Sequence, residues 1–200
     1  MNINLDVINY QSLFRVWRYS SSKIGKVSRF FIITKSVIRL VFFKIKFLDK
    51  DQKQPKIINS YLRQDYSDFI DKLTVNNGLG RCSIGYQFGL GHKLRYFKDV
   101  IRQVKLNKLE LNEALFLYFL IKSNDIFLKF IEKESVVILF AEMQIFENYI
   151  AQLARQVVCH TIGLQHGFYS NDYDSPTVNS LNYKNIAVDE ILAWGSISHD

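Results

Sequence analysis

Two apolar runs separated by an amphipathic segment limit the folds open to the last third of this chain. Residues 136–141 form a continuous, β-branched run with the length of a strand that is buried on both faces. The apolar residues of 146–157 recur at i, i+3, i+4, i+7, i+8 and i+11, which predicts an amphipathic helix of about three turns. A second buried strand is predicted over 159–164 and a short third one over 190–194. This order of strands and helix is typical of a right-handed parallel α/β unit.

Polar residues follow both buried runs directly. Glu142 comes after the first run, and Gln165, His166 and Gly167 end the second. Because the carboxyl ends of parallel strands meet at the edge of a sheet where ligands bind, we expect the carboxylate of Glu142 and the imidazole of His166 to lie near each other. A neutral imidazole accepts a proton from a hydroxyl at cellular pH, and Gly167 leaves room for a substrate. The competing interpretation of His166 is a turn histidine that hydrogen-bonds the backbone.

The segment after this turn, 168–177, is polar, aromatic and rich in turn-forming residues. It fits either a binding loop, with Tyr169 and Asp172 among its contacts, or a solvated connector. His160 begins the second apolar run and is therefore expected at the opposite edge of the sheet, in a structural role. The sequence has no HExxH motif, Cys/His cluster or Asp-rich pattern, so neither a metal nor another cofactor is predicted.

The positive charge of the chain is concentrated in its first half. The net charge is +7, and residues 1–100 carry 18 Lys or Arg against 7 Asp or Glu, whereas residues 101–200 carry 8 against 12. Apolar residues at helical spacing predict a basic helix over 26–48. Two interpretations fit it: a helix lying on an anionic membrane surface through residues 1–56, or a helix packed on the domain with its basic side chains reaching water. No aromatic pattern typical of nucleic-acid binding stands out, so no nucleic-acid partner is expected.

A polar stretch over 49–55 is the best internal boundary. We therefore expect a basic, helical N-terminal segment over 1–54 and a Rossmann-like domain, a parallel sheet with flanking helices, over 55–200. Within the second part, the pattern predicts helices over 57–73, 109–120 and 125–131, and a turn over 76–80 where Asn and Gly tolerate the left-handed conformation. A strand is also predicted to lead through the glycines of 82–92 into a helix. These glycines fit a phosphate-binding loop or a tight turn, and their spacing matches neither the dinucleotide fingerprint nor the P-loop.

Compartment is predicted from the termini, the charges and the cysteines. The first residues lack the basic region and apolar core of a signal peptide. Charged residues interrupt the most apolar stretch, 30–48, so no membrane-spanning helix is predicted. Cys82 and Cys159 are isolated and lie in hydrophobic surroundings, which favours small buried side chains over a disulfide. We expect a cytoplasmic protein, peripheral on the inner face of the membrane if the basic helix contacts it.

Three elements of the C-terminal third occur together in a known group of enzymes. They are residues 142–148 (EMQIFEN), 161–169 (TIGLQHGFY) and 188–195 (VDEILAWG). This series resembles bacterial surface and capsular polysaccharide glycosyltransferases of the GT-B type, together with the related glycerophosphotransferases and Kdo transferases. In those proteins an LQHG turn is followed by a D-x-I-x-x-WG strand. The resemblance covers about residues 135–197.

The resemblance implies that this chain is the acceptor-side, N-terminal half of a GT-B architecture. The reaction it implies transfers a sugar from a nucleotide-activated donor to a lipid-linked glycan in capsular or exopolysaccharide biosynthesis. His166 would line the cleft as the base or as a phosphate contact, with Glu142 as its partner, and the substrate would be bound by Gln165, Gly167, Tyr169 and Asp172. In such enzymes a second, nucleotide-binding domain follows the WG strand. Since the chain ends at Asp200, a truncated form of the enzyme is expected.

A function of another class is the alternative. It is a catalytically inactive remnant that keeps the α/β scaffold and acts as a membrane-associated or partner-binding module. The two hypotheses differ in turnover, since only the first requires an imidazole at the sheet edge to accept a proton.

Overall fold

The helices and strands lie in eight stretches of the chain. The computed structural model describes residues 3–22, 25–49, 55–59, 64–88, 95–132, 136–140, 144–164 and 187–192. The helices found there are α1 (Tyr10–Ser22), α2 (Lys26–Phe42), α3 (Gln64–Asn77), α4 (Arg95–Asn107), α5 (Leu111–Ile121), α6 (Asn124–Ile131) and α7 (Ile145–Gln156), preceded by a short 3-10 turn at Leu5–Val7. The strands are β1 (Phe43–Asp49), β2 (Lys56–Asn59), β3 (Gly80–Phe88), β4 (Val136–Leu139), β5 (His160–Leu164) and β6 (Glu190–Leu192).

The described strands form one mixed, six-stranded sheet in the order β1-β3-β2-β4-β5-β6. In this order, each pair of neighbours from β3 to β6 is parallel, whereas β1 is antiparallel to β3. From β2 the chain passes through α3 to β3 on one side, and from β4 it passes through α7 to β5 on the other. The direction of winding therefore reverses between β2 and β4. The predicted α/β fold is confirmed, and its strand order is compatible with a Rossmann-like domain.

The predicted strand-helix-strand unit over 136–164 is confirmed. In β4, Val137, Ile138 and Leu139 are all buried, because alternate side chains enter hydrophobic clusters on opposite faces of the sheet. In α7, Tyr149 and Ile150 are fully buried, as the helical spacing predicts. A continuous apolar run is what a strand covered on both faces requires.

Hydrophobic clusters cover both faces of the described sheet. The larger cluster contains residues of α1, α4, α5, α6 and α7. The smaller one lies on the other face, against α3, and consists of Ile57, Ile70, Ile138, Phe140 and Leu164 with a few half-buried neighbours. Phe140 follows β4 and Leu164 ends β5, so the carboxyl ends of these two strands share one apolar cluster.

Helix α1 is anchored to the rest of the molecule by polar contacts at both of its ends. Near its C-terminus, Arg18 Nε donates to Glu113 Oε1 of α5 at 2.5 Å, and Arg18 Nη2 donates to Glu113 Oε2 at 3.0 Å. Just before its start, the backbone N–H of Asn9 donates to Gln152 Oε1 of α7 at 2.6 Å. These contacts hold α1 against two helices of the larger cluster.

The helix predicted over 26–48 is wrong for its last residues. Helix α2 ends at Phe42, and the chain continues at once as β1. From there apolar and basic residues alternate: Ile45 is fully buried, and Phe43 and Phe47 pack on the larger cluster, with lysines between them. An alternation with a period of two is typical of a strand. The helix was predicted because the apolar residues at 41, 45 and 48 also fit the helical period.

The helix predicted over 57–73 is also wrong in its first part. Lys56–Asn59 forms β2, which pairs with β3 on one side and β4 on the other, and α3 begins only at Gln64. Ile57 and Ile58 are fully buried on opposite faces. A strand of four residues is too short to show a period of its own, so it was merged with the apolar residues of the following helix.

Other sequence-based predictions agree with the structure. The helices expected over 109–120 and 125–131 are α5 and α6, and the turn over 76–80 contains Gly78 at φ +66°. The strand and helix expected on either side of the glycine-rich segment are β3 and α4. The glycines between them, at 89 and 91, lie outside the described residues.

Two further findings concern membranes and thiols. Among the helices of the described part of the chain, none has both the length and the apolar character that crossing a bilayer requires.

Cys82 is fully buried in the larger cluster and Cys159 is half-buried, and both are free thiols. The prediction of a small buried side chain is therefore confirmed for Cys82 and only partly met by Cys159.

Candidate functional site

The carboxyl ends of β4 and β5 lie side by side. The two strands pair in parallel with Leu139 opposite Gly163, and each continues by one described residue, Phe140 and Leu164. The expectation that these strands end at one edge of the sheet is confirmed. In an open α/β sheet this edge is where ligands bind.

The predicted site residues themselves lie outside the described residues. Glu142 comes two positions after Phe140, and His166 comes two positions after Leu164. The residues concerned are Glu142, Gln165, His166, Gly167, Tyr169 and Asp172. Their proximity and their roles remain predictions.

The point where the winding reverses is adjacent to this pair of strands. It lies between β2 and β4, and the backbone N–H of Phe140 donates to the carbonyl of Ile58 at 3.0 Å, which extends that pairing to the end of β4. At such a point the loops of two neighbouring strands diverge and leave a crevice. Because β2 is not evident as a strand in the sequence, this reversal point was not predicted. Glu142 follows β4 in the sequence and lies outside the described residues.

The first turn of α7 brings a buried carboxylate to the same end of the sheet. Gln144 is the residue before the helix, and Glu147 in its first turn is fully buried. The exposed N–H groups of a helix N-terminus stabilise negative charge. Glu147 occupies the same helical stripe as Ala151 and Ala154, at i+4 and i+7, and both alanines are fully buried. Glu147 was not predicted as a site residue, although its spacing of four and seven positions from two alanines on one side of the helix is a sequence signal of burial.

The amino edge of the sheet contains a separate polar cluster centred on Asp189. Its Oδ2 accepts hydrogen bonds from the backbone N of Thr161 at 2.9 Å and from Thr161 Oγ1 at 2.7 Å, and its Oδ1 accepts one from Arg155 Nε at 3.2 Å. Burial by itself would raise the pKa of Asp189, but these bonds outweigh burial and lower the pKa. The cluster joins β5 to the chain entering β6.

His160 lies at this amino edge, at the start of β5, as predicted. Its Nε2 is 3.3 Å from Glu190 Oε1, and about two fifths of its side chain is exposed. It is therefore at the end of the strand opposite to Leu164, and it is a suitable control position for experiments on His166.

One cavity of about 310 Å³ lies away from the carboxyl edge, between the start of α1 and the last turns of α7. Polar side chains that line it make internal hydrogen bonds, although the buried Gln156 Nε2 has no hydrogen-bond partner among the described residues. Gln152 Nε2 donates to Asn148 Oδ1 at 2.7 Å, and Gln156 Oε1 accepts from the backbone N of Asn4 at 2.9 Å. The first of these bonds lies within α7, and the second ties the end of α7 to the chain before α1.

The described residues show no group of three or more His, Cys, Asp and Glu side chains that could hold a metal ion. Comparisons of the chain with protein-family models, with curated proteins and with solved structures find no match.

Proposed function

We propose that this chain forms the acceptor-side, Rossmann-like half of a GT-B-type glycosyltransferase. The reaction transfers a sugar from a nucleotide-activated donor to a hydroxyl of a lipid-linked glycan in the synthesis of a bacterial surface polysaccharide. In this proposal His166 is the base and Glu142 is its partner. The substrate contacts come from Gln165, Gly167, Tyr169 and Asp172.

The observation that carries the proposal is the parallel pairing of β4 with β5. Leu139 and Gly163 are neighbours across the two strands. In the sequence, His166 follows Leu164 by two residues, and Glu142 follows Phe140 by two. An imidazole and a carboxylate are thus tethered to adjacent strand ends.

The proposed chemistry needs only a base and a site for an anionic leaving group. The imidazole of His166 accepts the proton of the acceptor hydroxyl while the hydroxyl oxygen forms a bond to the anomeric carbon of the donor. The bond from that carbon to the phosphate oxygen breaks, and the nucleotide leaves with the electron pair. A positioned base contributes about 10²- to 10⁴-fold to such a step. Helix α7 begins at the same edge, and the amides of a helix N-terminus favour a phosphate.

Nucleotide release tests this proposal directly. Because the proposal leaves the donor site to a second, nucleotide-binding half, a protein that contains this chain together with that half is incubated with UDP-, CDP- and CMP-activated sugars and a bacterial membrane lipid extract as acceptor, and the free nucleotide is measured. We expect release with at least one donor, and a loss of about 100-fold or more in His166→Ala. His160→Ala, at the other end of β5, is the matched control and should retain the wild-type rate.

Two outcomes would overturn the proposal. The first is unchanged release by His166→Ala. The second is the absence of release with every donor from a wild-type protein whose circular dichroism shows it to be folded. Thermal melts of both histidine variants separate a loss of chemistry from a loss of folding.

A further inference from the structure

The outward side of α2 is apolar. The helix packs on α5, yet Phe30 and Phe31 are each about two thirds exposed, and Val37, Ile38 and Phe42 are also exposed. At 100° per residue these five positions fall within an arc of about 140° on one side of the helix. The helix thus buries one side against the protein and presents hydrocarbon to the outside on the other.

This apolar side continues onto the sheet. The ring of Phe42 stacks on that of Phe88, at the end of β3, with the ring centroids 6.1 Å apart and the planes 17° apart. Phe88 is 70% exposed. We call the exposed set formed by Phe30, Phe31, Val37, Ile38, Phe42 and Phe88 the α2 surface. A continuous apolar patch with several exposed aromatic rings marks an interaction site.

The segment of chain that contains α2 carries charged residues of a single sign. Residues 7–48 contain nine Lys or Arg and no Asp or Glu. Glu113 pairs with one of them, Arg18. Lys35 is exposed in α2, and Lys46 is exposed in β1. The partner of this surface must therefore accept hydrocarbon and supply negative charge.

We propose that the α2 surface docks on a lipid bilayer that contains anionic headgroups. A helix in this position buries its apolar side about 5–10 Å into the boundary between headgroups and acyl chains. Each lysine or arginine near an anionic membrane surface adds about 1 kcal/mol of attraction. A second copy of the chain would bring two positive segments together, and a nucleic acid would leave the aliphatic Val37 and Ile38 in water. The bilayer satisfies both the apolar and the charged groups.

Vesicle cosedimentation of the full chain tests the proposal without any nucleotide, so its outcome is independent of the transferase reaction. Vesicles of phosphatidylcholine alone are compared with vesicles containing phosphatidylglycerol. We expect binding to the anionic vesicles that weakens as salt is raised, because exposed charges are screened. The double variant Phe30→Ser/Phe31→Ser should bind at least about 10-fold more weakly, since two aromatic rings are lost from the contact.

Val75→Ser is the matched control. Val75 lies on α3 and is 74% exposed, so this change removes an exposed apolar side chain outside the α2 surface. It should bind vesicles as the wild type does. Lys35→Glu should weaken binding to the vesicles that contain phosphatidylglycerol. Binding to vesicles of phosphatidylcholine alone, which is expected to be weak, should not change. Thermal melts confirm that each variant is folded.

Three results would overturn the proposal. They are failure of the folded wild type to bind anionic vesicles at low salt, equal binding by Phe30→Ser/Phe31→Ser and wild type, and a wild-type dimer in sedimentation that this double variant dissolves. The last result would assign the α2 surface to a second copy of the chain.

Discussion

The carbonyl of Ala154 accepts a hydrogen bond from the backbone N–H of Cys159, with 2.9 Å between the nitrogen and the oxygen. A second bond, from Val158 N to the carbonyl of Arg155 at 3.3 Å, completes the pattern that ends a helix on a left-handed residue. That residue is Val158, with φ at +58°. Helix α3 is followed by Gly78 at φ +66°, the residue type that this conformation favours. A β-branched residue at this position is strained.

Val158→Gly should therefore stabilise the protein. Val158 is 94% exposed, so the change removes little packing and mainly relieves the left-handed backbone. We expect a gain of about 1 kcal/mol in the free energy of unfolding and a rise of about 2–4 °C in Tm. Urea and thermal unfolding followed by circular dichroism measure both. The reverse change at the equivalent position, Gly78→Val, should lower stability, and a Val158→Gly variant less stable than wild type would contradict the argument.

The ion pair between Arg18 and Glu113 should be worth more than an ordinary surface pair. Glu113 is 1% exposed, so Arg18→Met leaves a buried carboxylate without its cation. We expect a loss of about 2–3 kcal/mol in the free energy of unfolding, part of which returns in Arg18→Met/Glu113→Gln. Urea denaturation of the four proteins of this double-mutant cycle gives the coupling energy.

The pair Arg102 and Asp6 is the control for that cycle. Both of its side chains are more than half exposed, so Arg102→Met should change stability by less than about 1 kcal/mol. Equal losses from Arg18→Met and Arg102→Met would show that burial of Glu113 contributes nothing.

The protein should lose stability in acid because of Asp189. Its pKa in the folded protein is below its ordinary value of 3.8, so it stabilises the fold at any pH above that value. This contribution is lost as the pH falls from about 4 through the lowered pKa, because the unfolded chain takes up the proton first. Urea unfolding between pH 3 and pH 7 should show a shallower acid slope in Asp189→Asn than in wild type. Thr161→Val removes one donor to Asp189 and should give an intermediate slope, whereas identical slopes in all three proteins would exclude the effect.

The parts of the fold that could be predicted from sequence are those with one dominant physical signal. The run over 136–141 is buried on both faces, and the helix after it has a clean apolar stripe, so neither has a competing interpretation. The alternation of Phe43, Ile45 and Phe47 with lysines was hidden, because nearby apolar residues also fit a helix. It is the pairing with β3 that makes residues 43–49 a strand and not the end of the helix.

The candidate site was predictable as far as chain connectivity reaches. The position of Glu142 and His166 after two parallel strands follows from the sequence, since the strands themselves are unambiguous. The place where the winding reverses depends on β2, a strand of four residues whose pairing partners in β4 are 81 positions further along the chain. The complete burial of Glu147 likewise depends on tertiary packing, which composition and period do not report.

Helix α2 passes into β1 without a single intervening residue, since one ends at Phe42 and the other begins at Phe43. Since α2 also packs on α5 and on β1 itself, more than the chain connection couples the helix to the sheet. If α2 rests on a bilayer, the tilt of the whole sheet relative to the lipid is set by that one helix. The height of the carboxyl edge above the headgroups would then be a fixed distance, and it would decide which acceptors the edge can reach.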